Sequence, residues 1–262
     1  MKEQKGLVLI VGAGPGDPGL ITLRGVRALM RADVIVYDQL ANTELLQFAR
    51  QDARLIYVGK KGGDHTLPQK GINDLLVAEA RKGLVVARLK GGDPFIFGRG
   101  GEEAEVLTRK GIPIEVIPGI TSAVSVPAYA GIPLTHRKHA STVAFVTGHE
   151  DPSKEQSGID WRKLSGIGTL VFLMGVKNLS GITRDLVEGG KDPATPAALI
   201  RWGTTPDQET LTGTLEDLSG KAAAKKFTPP AVLVVGDVVS LRDRLNWFEG
   251  KPLFGKGVVI TR

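Results

Sequence analysis

Few side chains in this sequence are placed to do chemistry, and most of them fall in loops rich in glycine and proline. Asp38 ends one short apolar run and Lys60 follows another; Asp93 and Arg99 share a third loop, and Thr121 and Ser122 a fourth. A carboxylate and a lysine can move protons, an arginine can hold an anion, and glycine loops let main chain approach a ligand closely. Together they suit a neutral or zwitterionic small molecule held largely by backbone. The densest stretch is residues 88–103, Arg88-Leu89-Lys90-Gly91-Gly92-Asp93-Pro94-Phe95-Ile96-Phe97-Gly98-Arg99-Gly100-Gly101-Glu102-Glu103. Gly91 and Gly92 can take positive φ at little steric cost, Asp93 is a fixed acceptor beside them, and Pro94 stiffens the exit. A tight turn alone would need the glycines but not the aspartate and the arginine.

The elements that must position these residues are legible from periodicity. Residues 7–11, 34–37, 55–58, 84–89 and 114–117 read as short buried strands. Between them lie a helix capped by Thr22 and running to about residue 31, a helix around Leu45, Leu46 and Phe48, a helix from Pro68 to about residue 82, and a helix over residues 101–109. On the first of these, Leu23, Val26, Ala28 and Leu29 are available for one face. Alternation of strand and helix predicts a parallel sheet with helices on both faces, its ligand loops at the carboxyl ends of the strands. After Pro118-Gly119-Ile120-Thr121-Ser122 the pattern breaks into small residues. A second lobe follows, with strands expected at residues 142–147, 169–174, 197–201, 209–212 and 231–235, helices near 179–188 and 215–224, and a polar, mobile loop at 148–158. Its connections mix hairpins and crossovers, so its sheet is expected to be mixed. The expected division is an α/β lobe over residues 1–118, a second α/β lobe over 119–248, and a tail over 249–262.

Composition removes several function classes. The chain has 262 residues and no cysteine, which excludes disulfides, thiolate metal sites and a thiol nucleophile. No apolar run reaches membrane-spanning length, and the N-terminal residues are not those of a secretory signal, so a cytoplasmic location is expected. A net charge of +6 suits an anionic partner, whether nucleic acid or a small polyanion, but only 5% of residues are aromatic, thin for stacking bases. Gly12-Ala13-Gly14-Pro15-Gly16 spaces its glycines wrongly for a dinucleotide fingerprint, and the helix opens late, although Asp38 resembles a ribose ligand in position. Lys60-Lys61 lacks the rest of a phosphate loop. His136 and His139 lie in a basic segment without carboxylates, a poor metal set and a better anion contact. In the second lobe Met174-Gly175 and Gly203-Thr204-Thr205 each follow a strand; a methionine there serves a core or a ligand equally well.

Several long motifs, in order, resemble one family. Gly12-Ala13-Gly14-Pro15-Gly16-Asp17-Pro18-Gly19-Leu20, Val36-Tyr37-Asp38, Val58-Gly59-Lys60, residues 88–103, Pro118-Gly119-Ile120-Thr121-Ser122-Ala123 and Gly131-Ile132-Pro133-Leu134-Thr135-His136 look like the tetrapyrrole (class III) methylases, and the likeness runs from residue 7 to about residue 248. The resemblance implies two α/β lobes with S-adenosyl-L-methionine in the cleft between them, S-adenosyl-L-homocysteine as product, and a homodimer. It implies cofactor contacts from Pro15, Gly91, Gly92, Asp93, Ile96, Thr121, Ser122, Met174 and Gly203. It implies Asp38 as proton acceptor and Lys60 as proton donor; the carboxylates of its substrate call for arginine forks, for which Arg99 is the first candidate, as an orienting or acid–base group, and Arg137 and Lys138 are weaker ones. The branch it resembles most methylates uroporphyrinogen III twice, at C2 and C7, to precorrin-1 and then precorrin-2, feeding sirohaem and cobalamin synthesis. A later precorrin methylase, or an RNA ribose methyltransferase of the same family, is the competing reading; residues 59–69 and 98–103 favour the uroporphyrinogen branch, so neither a nucleic-acid nor a membrane partner is expected. Residues 258–261 resemble the first strand of a uroporphyrinogen-III synthase, which implies a fusion of which this chain is the methylase half. Without the rest of that domain the tail should be loose or packed on a neighbour.

Overall fold

The computed structural model describes residues 6–59, 67–149 and 158–259. The chain forms two compact units that divide between Thr121 and Ser122.

The first unit is built on β1 (Leu7–Gly12), β2 (Val34–Tyr37), β3 (Arg54–Tyr57), β4 (Val85–Lys90) and β5 (Ile114–Ile117). All pairings are parallel, in the order β3-β2-β4-β1-β5. Helices α1 (Leu23–Arg31), α2 (Gln69–Arg81) and α3 (Gly100–Arg109) complete it. Side chains alternate across a strand, and both faces of this sheet are apolar. Leu9, Val11, Ile35, Ala87 and Leu89 pack with Ala28 and Leu29 of α1 and with Leu45. Val8, Ile10, Val34, Val36 and Val86 pack on the other face with Ile72 and Leu76 of α2 and Leu107 of α3. Each fully buried aliphatic side chain contributes about 1.5–3 kcal/mol, and two such layers explain why the strands read as near-continuous apolar runs. Thr22 caps α1 by accepting from the Gly25 N–H at 3.0 Å.

The second unit has β6 (Val143–Thr147), β7 (Thr169–Leu173), β8 (Pro196–Arg201), β9 (Glu209–Thr214) and β10 (Ala231–Val235) in the order β6-β7-β10-β8-β9. The β6–β7 pair is parallel and the other three are antiparallel, the mixed sheet expected. Around it lie α4 (Ser122–Tyr129), α5 (Trp161–Ser165), α6 (Leu179–Glu188), α7 (Leu218–Ala224) and α8 (Arg242–Leu245). Phe172, Leu186, Leu199, Leu218 and Leu233 centre one core layer, and Val171, Ala198, Ile200 and Val234 the other.

Some expectations need correcting. Residues 43–48 form a 3-10 helix instead of an α-helix, capped by Asn42 and burying only Leu45. Leu23 is 78% exposed, because the buried stripe of α1 is carried by Gly25, Ala28 and Leu29. The last long helix opens at Leu218, with Asp217 before it, and not at residue 215. The small residues after Thr121, which gave no helical signal, form α4, Pro127 included. Residues 257–259 form no strand and Val258 and Val259 are exposed, in keeping with a tail that has no sheet to join; residues 260–262 lie outside the described residues. The tail before them is anchored, not loose: Glu249 accepts from Gln208, Thr210 and Arg242, and Phe254 packs edge-on against Phe248. Most of the loop expected to be mobile, residues 150–157, also lies outside the described residues.

Candidate active site

In the first unit the loops leaving β1, β2, β4 and β5 meet in one rim at the carboxyl edge of the sheet. The loop after β1 bonds to the loop after β4: Gly14 and Gly92 exchange N–H···O bonds of 3.2 and 2.7 Å, and Ala13 N–H donates to Lys90 O at 2.7 Å. Both Gly14 and Gly92 have positive φ, +80° and +67°, which only glycine adopts without strain. The loop after β2 joins through Asn42, whose side-chain amide donates to Gly16 O at 2.7 Å, and Leu40 lies against Gly91 so closely that a Cβ there would stand 2.6 Å from the leucine Cβ. Asp93 ties the loop after β4 to that after β5, one oxygen accepting from Phe95 N–H at 2.8 Å and the other from Gly119 N–H at 3.0 Å. Pro15, Gly91, Gly92, Asp93 and Ile96 are half-buried along this rim, and Thr121 ends the unit.

The period of two along a strand places Asp38, Arg88 and Lys90 on one face. Val34 and Val36 precede Asp38 on the side covered by α2 and α3, Val86 precedes Arg88 there, and Val36 pairs with Arg88. Glu103, four residues before the buried Leu107, brings α3 to the same spot. The result is a buried ionic cluster. Arg88 Nη2 donates to Asp38 at 2.8 Å, and its Nε reaches Glu103 at 3.3 Å. Lys90 and Gln69 donate to the same Glu103 oxygen at 2.9 and 3.0 Å. The other Glu103 oxygen has no hydrogen-bond partner among the described residues, although Glu103 is fully buried. Burial, helped by the charge of Arg88, pulls the Lys90 ammonium below the ordinary lysine range, and Glu103 opposes this. Asp38 is the exposed end of the cluster, its side chain 27% accessible, with its second oxygen accepting from Leu40 N–H at 3.1 Å.

Arg99 stands just before α3 with φ +57°, and Phe97 has φ +51°. Backbone held in this region by non-glycine residues costs of order 1–3 kcal/mol each and gathers at ligand sites. The Arg99 guanidinium meets Glu102 at 2.9 and 2.7 Å on the surface. Phe95, Phe97 and Leu40 are exposed along the same rim, an apolar surface that needs a cover. Lys60 lies outside the described residues.

The second unit carries its own candidates at strand ends. Met174, directly after β7, has φ +60° and is exposed; Trp202 and Thr204, after β8, have φ +49° and +71°. Gly203 between them is buried, its Cα so close to Val126 of α4 that a Cβ would stand 2.4 Å from a valine methyl. Ser122 opens α4, and Arg137 and Lys138 are exposed. The structure therefore unites Asp38 with the glycine loops of its own unit. It also adds Arg88, Lys90, Glu103 and Gln69, which the sequence reading passed over. The available signal was two cations on alternate positions of an otherwise apolar strand.

A parallel sheet bearing such a rim, and in the same chain a mixed-sheet unit with strained strand-end loops, define a class that the comparisons identify. Tetrapyrrole (Corrin/Porphyrin) Methylases match residues 7–219, and the chain belongs to that family. It is 52% identical over 247 residues to a uroporphyrinogen-III C-methyltransferase of Bacillus subtilis, covering 94% of this chain and 96% of that one. A second B. subtilis protein of the same name is 50% identical over all 262 residues, which make up only 54% of its length. The solved uroporphyrin-III C-methyltransferase of Thermus thermophilus, complexed with S-adenosyl homocysteine, superposes with a TM-score of 0.76 at 40% identity over 90% of this chain and all of that one.

Proposed function

We propose that this chain is an S-adenosylmethionine-dependent C-methyltransferase that methylates uroporphyrinogen III twice, at C2 and C7, giving precorrin-1 and then precorrin-2. The observation that carries the reading is the rim of the first unit, which sets a half-exposed carboxylate, Asp38, beside a backbone-lined glycine loop with exposed apolar side chains. Such a surface fits a zwitterionic methyl donor: main-chain groups of residues 91–93 and half-buried Pro15 and Ile96 offer polar and apolar contact with little fixed charge. The names of the relatives, and the S-adenosyl homocysteine in the T. thermophilus complex, support the same assignment.

When bound, S-adenosylmethionine supplies an electrophilic methyl on a sulfonium. The chain's own task is alignment and proton handling. Holding an electron-rich pyrrole carbon in line with that methyl converts an encounter between two small molecules into a step within one complex. As the carbon–carbon bond forms, the carbon–sulfur electron pair stays on sulfur, and a proton must leave the macrocycle. Asp38 accepts that proton, Lys60 takes the proton-donor role that the family resemblance implies, and Arg99 orients the carboxylates of the substrate. Gly91, Gly92, Asp93 and Thr121, with Ser122, Met174 and Gly203 from the second unit, hold the cofactor. The assembly is a homodimer.

Anaerobic incubation with uroporphyrinogen III and S-adenosylmethionine tests the function. The expected outcome is two methyl groups transferred per macrocycle and the absorbance of an isobacteriochlorin after oxidation. Binding of S-adenosylhomocysteine without any methylated tetrapyrrole would refute the substrate assignment.

A further inference from the structure

We infer that Arg88 and Glu103 are positioning residues that fix the carboxylate of Asp38 for proton abstraction; the inference rests on the reading of Asp38 as the proton acceptor. Arg88 is 3% exposed and Glu103 fully buried, with Lys90 at 5% beside them. Ions in such a place stabilise a fold poorly, since well-packed apolar side chains of similar volume do as well or better. What they do supply here is geometry. Arg88 is held at three points: Nε on Glu103 at 3.3 Å, Nη1 on Leu89 O at 3.1 Å and Nη2 on Asp38 at 2.8 Å. A planar guanidinium held at two of those points delivers the third N–H in one direction, which no ammonium can do. Asp38 is thereby caught between Arg88 on one oxygen and Leu40 N–H on the other, although it stands at the exposed end of the cluster.

Glu103 also joins two parts of the proposed reaction. It sits in the first turn of α3, its N–H donating to Arg99 O at 3.2 Å. A continuous path of bonds therefore runs from the backbone of Arg99 through Glu103 and Arg88 to Asp38. Arg88 and Lys90 balance Asp38 and Glu103 in charge, so removing the charge of Glu103 leaves the cations in excess and releases the inner end of Arg88.

The decisive comparison is Arg88→Lys, which keeps the charge but loses the fork, measured alone and combined with Asp38→Asn. Methyl transfer to uroporphyrinogen III is followed by product absorbance and S-adenosylhomocysteine affinity by calorimetry. Arg88→Lys is expected to lower kcat about 10²-fold, the loss associated with about 1 Å of misplacement, with S-adenosylhomocysteine affinity within about twofold of wild type. Added to Asp38→Asn it should cost nothing more, because the group it positions is already disabled. An unchanged kcat in Arg88→Lys, or a second full loss on top of Asp38→Asn, overturns the positioning role. Wild-type turnover in Asp38→Asn would instead overturn Asp38 as acceptor. If Arg88→Lys fails to fold, Glu103→Gln decides: a folded variant that binds S-adenosylhomocysteine and loses kcat about 10²-fold supports the role, and one with full kcat removes it.

Discussion

The tightest point of the rim offers the sharpest stability test. A Cβ added at Gly119 would stand 2.3 Å from Gly92 O, 2.7 Å from Gly12 Cα and 2.8 Å from Gly12 C. A carbon–oxygen contact needs about 3.3–3.6 Å, so something must move by about 1 Å. All three obstacles are backbone. Moving Gly92 breaks its two-bond exchange with Gly14, and moving Gly119 breaks its bond to Asp93. Overpacking of this kind costs about 1–3 kcal/mol and a lost hydrogen bond about 0.5–1.5 kcal/mol. Gly119→Ala should therefore lose about 3 kcal/mol, a fall of about 6–12 °C in Tm, with S-adenosylhomocysteine affinity at least about tenfold weaker, the order expected if about half of that loss falls on the ligand loop. Gly101→Ala is the control: nothing lies within 4 Å of its added Cβ, and it sits in α3. It should be neutral or stabilising by up to about 1 kcal/mol. Differential scanning calorimetry and isothermal titration read both quantities. A Gly119→Ala protein within about 1 kcal/mol of wild type, binding S-adenosylhomocysteine normally, would refute the claim that the rim is held by backbone contact.

Three further outcomes follow from single contacts. Asp93→Asn should weaken S-adenosylhomocysteine binding and cost about 1–3 kcal/mol in urea unfolding, because the new amide NH2 must face either Phe95 N–H or Gly119 N–H; unchanged affinity would show that this carboxylate does not shape the cofactor loop. Glu79 is held below the usual carboxylate range by its bonds to Lys82 and Arg54, so its contribution is present above the ordinary value of 4.5 and lost as pH falls through its folded value. Glu79→Gln should therefore cost about 1 kcal/mol at neutral pH, with the difference closing in acid; a difference independent of pH contradicts the ionic origin. For Lys90 the direction is the same but the cause differs: burial lowers its value, so the native state releases its proton first and stability gains with rising pH between that value and 10.5. The stability difference between wild type and Lys90→Met should grow in favour of wild type across that window, and a flat difference would show that Lys90 is not desolvated.

Periodicity carried most of the scaffold. The strands were legible because each is a short apolar run closed by glycine, proline or a charge, and their pairing as parallel followed from the helices between them. What failed lacked such a signal. α4 is made of small residues with a proline inside, so no amphipathic stripe marks it. The 3-10 helix at residues 43–48 differs from an α-helix by one hydrogen-bond step, which apolar spacing over six residues cannot resolve. The glycine loops and Asp38 stood out by type and position. The cluster behind them did not: Arg88 and Glu103 lie 15 residues apart, and only the strand register together with the docking of α3 brings them into contact. A run of residues can announce a ligand loop; a bond between two elements is announced by neither.

The strand order of the first unit governs when the rim can exist. β1 and β2 are consecutive in the chain but not paired, because β4 lies between them, and β1 gains its other neighbour only with β5. During synthesis from the N-terminus, β1 has no partner until β4 has emerged, and β2 has only β3. Parallel pairings of such separation form late and slowly. The arrival of β4 then completes the β2–β4 and β1–β4 ladders, and with them the Gly14–Gly92 exchange and the Arg88–Asp38 bond. The rim closes only when β5 pairs with β1 and brings Gly119 to Asp93, so a nascent chain stopped before β5 has paired strands but an unfinished place for a ligand.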